Sequence, residues 1–460
     1  MISSERSVWR SIRFSAPALY IAVLLLAFNM QACSDDNNIV SPSFNAGEQN
    51  LSVDTLTVSN VAITELKTFT GNLRHFSAGK YDDAVFGQLH ASAFIAPGVT
   101  RIENDDFIEA GAEMFLILKP REFFGVVDSM EATASYELRY VTERWRATAF
   151  DANKEVATNP QAFATFEVTA GTDSIAIPMP EQWVEDFRAI YMANDDERET
   201  LVRDQEFGFA IVPTEESNAI TGFRSTFTER DSLDVLDFRG SRLFVKNPVT
   251  EESDNGNGDD EDQNGDDNGN GDNGDEDNGN GEDDGPRAEF FVPLRSTGFN
   301  LFIDNNEVSA PSGALPMLNT FQQVVRLDTE LDDRDFTEQV VSRAELLFFD
   351  FEEDASTLPA GHRRPQSERL LFYTLDETER EFEVIKSPVF EPPFREGDSS
   401  YRINVTNFVE QVQLGEQSTT EFFIIPERNN GLIIPRLLAG PEAGERAPKL
   451  IITRINPETN

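Results

Sequence analysis

Along residues 51–248 and 287–456 the chain alternates apolar and polar positions over short runs, with Gly, Asn and Asp between them. In the first stretch the runs cover Leu51–Val58, Val61–Phe69, Ala84–Phe94, Glu113–Lys119, Ser135–Val141, Phe163–Val168 and Ser174–Pro178. In the second they cover Glu289–Val292, Phe299–Ile303, Phe321–Leu327, Arg343–Phe351, Arg369–Thr374 and Glu381–Ile385. A period of two marks a strand with one face on a core. Turn residues such as Gly71, Gly98 and Asp173 close the runs. Many short strands at this spacing predict an all-β chain of two β-sandwich, jelly-roll-like domains. The 37 Phe suit sheet faces that interdigitate.

Both stretches end alike. After Ser174–Pro178, a helix opening near Pro180 sets Trp183, Phe187 and Ile190 on one face. Strands then follow at Glu206–Pro213, Ile220–Phe227 and Arg242–Val245. In the second stretch Tyr401–Asn404 leads to Val405, Phe408, Val409 and Val412, a helical spacing ended by Gly415. Strands again follow, at Glu421–Pro426, Leu432–Leu438 and Lys449–Thr453. The shared order predicts two homologous domains, 51–248 and 287–456, each with one short helix across an end.

Tyr140-Val-Thr-Glu-Arg-Trp145 at a strand end, followed by the strand–helix–Gly-Phe strand, resembles the DNRLRE-type β-sandwich modules. Gly79-Lys-Tyr-Asp-Asp-Ala-Val-Phe-Gly87 and Ala91-Ser-Ala-Phe94 resemble a segment of Bacteroidetes lipoproteins of similar layout. The resemblance implies a carbohydrate-binding-module-like role.

Between the two stretches, residues 251–285 hold sixteen acids, nine Gly, eight Asn, no base and no apolar side chain. Such a segment cannot bury surface to offset ordering entropy, so 249–286 is expected to be a disordered linker spanning roughly 30–35 Å. Asp266 to Asp272 also offers hard oxygens around glycines, as calcium loops do, without the Glu at loop position 12 or flanking helices. Weak calcium binding by this acidic linker is the only cofactor chemistry on offer.

The first 32 residues read as a lipoprotein signal peptide. Arg6, Arg10 and Arg13 precede an apolar stretch from Phe14 to Phe28, too short for a span of about 20 residues. Met30-Gln31-Ala32-Cys33 resembles a lipobox, with Cys33, the only Cys, as the lipidation site. Acyl chains add about 0.8 kcal/mol per buried methylene, so two or three of them anchor the protein to the membrane. Residues 33–50 are expected to be a flexible tether. The acidic Ser34-Asp35-Asp36 resembles an export signal to the outer face of the bacterial outer membrane.

Charge narrows the partners. The chain has 83 Asp+Glu against 38 Lys+Arg, a net charge of −45 and a pI near 4.3. Nucleic acid is excluded, because its phosphates are bound by a basic face. One Cys rules out a disulfide framework and a Cys-based zinc site.

Catalytic motifs are missing. There is no Gly-x-Ser-x-Gly, His-Glu-x-x-His, Walker loop or Gly-x-Gly-x-x-Gly at a strand-to-helix junction. Ser77-Ala-Gly-Lys80 has a Ser-x-x-Lys spacing without its companion motifs, and His75, His90 and His362 are scattered. Acid pairs such as Asp82/Asp83 and Glu352/Glu353/Asp354 are unavoidable among 83 acids and read as solvated loops. Trp145 and Trp183 both fit core roles, although sugar platforms favour exposed Trp or Tyr. The expected role is non-catalytic binding or scaffolding, with a polysaccharide or a surface protein as partner. The rivals are a glycan-processing enzyme using a carboxylate pair and a calcium-responsive structural or adhesion protein.

Overall fold

The computed structural model describes residues 50–456, apart from 100–105, 127–132, 205–207, 226–239, 249–286, 305–309, 321, 332–339, 352–361, 366–368, 374–398, 417–420 and 427–428. The signal peptide, the tether up to residue 49, the acidic linker and the expected strand Glu381–Ile385 lie outside the described residues.

The chain is all-β with short helices. Its first stretch forms β1 (Asn50–Thr57), β2 (Asn60–Thr64), β3 (His75–Asp83), β4 (Gly87–Pro97), β5 (Glu113–Leu118), β6 (Pro120–Val126), β7 (Thr133–Tyr140), β8 (Ala164–Thr169) and β9 (Ile175–Pro178). Helices α1 (Glu181–Met192) and α2 (Asp195–Asp204) follow, then β10 (Phe209–Pro213), β11 (Ala219–Arg224) and β12 (Arg242–Lys246). The second stretch forms β13 (Glu289–Asp304), β14 (Ala314–Leu318), β15 (Val324–Asp328), β16 (Val340–Phe349), β17 (His362–Arg363), β18 (Leu371–Tyr373) and β19 (Ser400–Asn404). It ends with α3 (Thr406–Gln413), β20 (Glu421–Ile425), β21 (Pro435–Ala439) and β22 (Lys449–Asn456).

Period-two burial explains the strands. β5 turns Met114, Leu116 and Leu118 inward, and β16 turns Ala344, Leu346 and Phe348 inward. α1 buries Trp183, Val184, Phe187, Ile190 and Tyr191, a stripe at helical spacing. α2 begins with Asp195, Asp196 and Glu197, acids that suit a helix N-terminus, and has no comparable apolar stripe.

The repeated ending extends to the pairing. β5 lies between β9 and β12, and β16 lies between β19 and β22. β10 lies between β4 and β7, as β20 lies between β15 and β18. β11 pairs with β3, and β21 pairs with β14. Two cores result. One is built around Leu116, Phe209, Phe223, Leu243 and Phe299, the other around Leu327, Leu346, Phe348, Tyr401 and Ile452. In the second, the sheets β1-β22-β16-β19 and β18-β20-β15-β2 face each other, with Phe348 and Phe372 rings 5.6 Å apart.

The strand pairing crosses between the two stretches. β12 pairs with the first part of β13, and β4 pairs with the rest of it, so residues 289–304 complete the first core. The matching places beside β22 and β15 are filled by β1 and β2. Each repeat has therefore given its N-terminal arm to the other. Periodicity records that a strand face is buried, not which core buries it. The sequence also divides 289–304 into two strands, because Arg295, Ser296 and Gly298 interrupt the apolar run. In the structure it is one strand with a bulge between Leu294 and Ser296, where it passes from β12 to β4.

The repeats also meet through β6 and β17, which follow β5 and β16 and pair with each other. The described residues from Leu51 onward form one compact unit.

Candidate functional site

Cys33, Asp266 to Asp272 and Glu352/Glu353/Asp354 lie outside the described residues. The remaining candidates are not brought together. Ser77 and Lys80 are three apart on β3 and so face opposite sides of the sheet. The buried Ser77 hydroxyl donates to Gly431 O at 2.7 Å, while Lys80 pairs with the exposed Glu215 at 2.6 Å. That contact holds the Glu215 carboxyl below its ordinary value. Asp82 is exposed and bonded by Gln88, whereas its neighbour Asp83 is buried. The two alternate across the strand rather than forming a pair.

Each His has its own setting. His75 is buried, and desolvation lowers it to about 4, so it is neutral at pH 7. Burial also lowers His90, aided by Lys80. His362 is lowered by burial and then by Arg364, against the opposing pull of Asp83. Among the described residues, no three His, Cys, Asp or Glu side chains gather closely enough to hold a metal ion.

His362 belongs to a network joining the repeats. Arg364 reaches both Asp83 oxygens, with Nε at 3.0 Å and Nη2 at 2.8 Å. Asp83 also accepts from the Val85 and Phe86 amides. Tyr81 Oη lies 2.5 Å from His362 Nδ1, and burial, then Asp83, pushes the phenol up to about 12. Enclosed, with His362 Nε2 3.6 Å from Asp83 and without a hydrogen bond of its own, this network is a structural clasp.

Trp145 and Trp183 are both core residues, each 7% exposed. Trp183 stacks on Phe187 at 4.9 Å and meets Phe209 edge-on at 5.0 Å. Trp145 meets Phe150 edge-on at 5.5 Å and packs near Phe94. Neither offers a face to a sugar ring.

A cleft of about 500 Å³ opens beside Trp145. Its floor and walls come from residues 144–148 after β7, from α2 through Asp195, Arg198, Glu199 and Val202, and from Arg295 and Ser296 of β13. The local chain is tightly fixed. Asn72, also lining the cleft, donates its amide to Thr297 O and accepts from Thr297 N. A Cβ on Gly71 would overlap the Ala147 carbonyl, so only glycine permits that approach. Asn194 caps α2 by accepting from Glu197 N at 3.0 Å. Arg198 donates to the carbonyls of Tyr191 and Ala193 and pairs with Asp195 at 2.8 Å.

Arg295 is the bulged residue of β13, skipped between the pairs Leu294↔Pro97 and Ser296↔Ala96. A bulge re-aims the side chain it carries. Arg144 and Arg146 are exposed on either side of buried Trp145, and among the described residues neither makes an ion pair. The cleft thus brings together four guanidinium groups, two carboxylates, Asn72, Thr148 and Ser296. It is composite, since Arg295 and Ser296 arrive with the exchanged arm.

Sequence reasoning singled out Trp145 but missed the cleft. Its cations are spread from residue 144 to residue 295, and α2 has no apolar pattern to announce it. The available signal was local: two Arg flanking a core Trp just beyond a strand end. Compared with protein-family models and with curated proteins, the chain matches none.

Proposed function

We propose that this chain is a lipid-anchored protein of the bacterial outer membrane, facing the exterior, which binds polysaccharide without chemically changing it. The observation that carries the reading is the polar cleft beside Trp145, whose guanidinium, amide, hydroxyl and carboxylate groups converge on a volume able to take several sugar residues. Cys33 at the end of the apolar leader supports the anchor, and the acidic residues after it support the outward orientation.

Binding rather than hydrolysis is favoured by the placement of the two acids. Asp195 and Glu199 are four residues apart, on one face of α2, and Asp195 is engaged by Arg198. Glycosidases need carboxyls on opposite sides of the scissile bond.

The test is a polysaccharide array probed with the mature full-length chain. Retention of at least one polymer, with no release of reducing ends, is the expected result. Release of reducing sugar, lost in Glu199→Gln, would replace the binding role with a glycan-processing enzyme. For the anchor, Cys33→Ser should abolish fatty-acid labelling; persistent labelling would overturn that part of the proposal.

A further inference from the structure

We infer that the ligand of the cleft is an anionic polysaccharide, one bearing carboxylate or sulfate groups, gripped by Arg144, Arg146 and Arg295. This rests on the polysaccharide reading above and adds its charge.

Composition makes the cleft unusual. The whole chain has 83 acidic against 38 basic residues, yet the cleft has four Arg against Asp195 and Glu199. One of those acids is already engaged by Arg198. Arg198 in turn is committed to the carbonyls before α2, so its head positions the helix while its charge still acts on the cleft. Arg144 and Arg146 have no ion-pair partner among the described residues. Arg144 and Arg146, exposed on either side of Trp145, leave their forks open to an anionic ligand.

The side-chain type points the same way. None of the chain's seven Lys lines the cleft; every cation there is Arg. The planar guanidinium fork matches carboxylate and sulfate oxygens bidentately, whereas an ammonium acts as a point charge. The bulge at Arg295 delivers a third fork from the arm of the other repeat. A net charge of −45 would repel a polyanion at long range. Salt screens that repulsion beyond about 8 Å at physiological ionic strength, while contact-range forks persist. The site is therefore suited to salty surroundings, where contact geometry outweighs the overall field.

The experiment measures affinity of the mature full-length chain for dextran, dextran sulfate and polygalacturonate, at two salt concentrations. The second and third probes separate sulfate from carboxylate recognition. Binding of at least one anionic polymer tenfold or more tighter than dextran is expected. Arg144→Gln/Arg146→Gln should weaken that binding about tenfold or more and flatten its salt dependence. Arg144→Lys/Arg146→Lys should recover only part of it. An unchanged thermal midpoint in both variants confirms that the fold is intact. Equal binding of dextran and the charged polymers, or unchanged binding by the Gln variant, would overturn the charge inference while leaving polysaccharide binding in place. Binding of no polymer would overturn both.

Discussion

Severing the chain within residues 249–286 tests the exchange of arms directly. If each repeat lends its N-terminal arm to the other, the fragment 50–248 lacks the strand that closes its core. The cost follows from the side chains involved. β13 places Phe290, Val292, Leu294, Phe299 and Leu301 in the first core, each at most 4% exposed. At about 1.5–3 kcal/mol for each buried side chain, the arm contributes roughly 8–15 kcal/mol. That equals the whole net stability of a typical domain, about 5–15 kcal/mol. Fragment 50–248 alone should therefore give no cooperative urea transition by far-UV circular dichroism. Fragment 287–460 loses less, Val58 with the partly buried Leu56 and Val61, and should retain more strand signal. Mixed, the two should recover a 1:1 complex with a sigmoidal transition whose midpoint rises with concentration. Protein cleaved in the linker after folding should elute as one species. Native-like, cooperative unfolding of 50–248 alone, or elution of the cleaved halves as separate folded bodies, would refute the exchange.

Three further outcomes follow from particular residues. Asp83→Asn removes the carboxylate that both arms of the half-buried Arg364 fork grip and should cost about 3 kcal/mol, read as a fall in the urea midpoint, whereas Arg363→Gln, at an exposed neighbour, should cost under about 1. Gly431→Ala forces a left-handed backbone (φ +93°) and drives a Cβ into the His75 carbonyl, for roughly 3 kcal/mol or more; Gly111→Ala (φ +80°), with open space around it, should cost only about 1 in the same assay. His75 is lowered from 6.5 to about 4, so the unfolded chain takes up a proton that the folded chain refuses. Its contribution is complete above about pH 7 and is lost as pH falls from 6.5 to 4, about 2 kcal/mol after allowing for screening by water. His75→Gln should flatten that limb of the urea-midpoint profile; an unchanged limb would show that another group carries it.

Much of the architecture was legible because burial imposes a period. Met114, Leu116 and Leu118 announce β5, and the spacing of Trp183, Phe187 and Ile190 announces α1. The duplicated ending was readable from order alone. β3 escaped notice because Ser77, Ala78 and Gly79 are small and give no alternation of large apolar and polar side chains, and β6 because it starts at Pro120 and contains Gly125. At Gly79 a Cβ would run into the backbone of Ala219–Ile220, a constraint visible only once β11 is in place. The exchange left no trace, since an arm has the same alternation whichever core receives it. The cleft was hidden for a similar reason. Its Arg residues become neighbours only through a helix and a bulge that bring distant parts of the chain together.

Because Arg295 travels on the second repeat's arm, the order of synthesis acquires a meaning. The first repeat emerges early but stays open along the edges of β4 and β12 until residue 304 has been made. Until then its apolar faces need protection from one another. Products that stop short of this point can neither close that core nor complete the cleft, so the cleft is whole only once translation has passed into the second half of the chain.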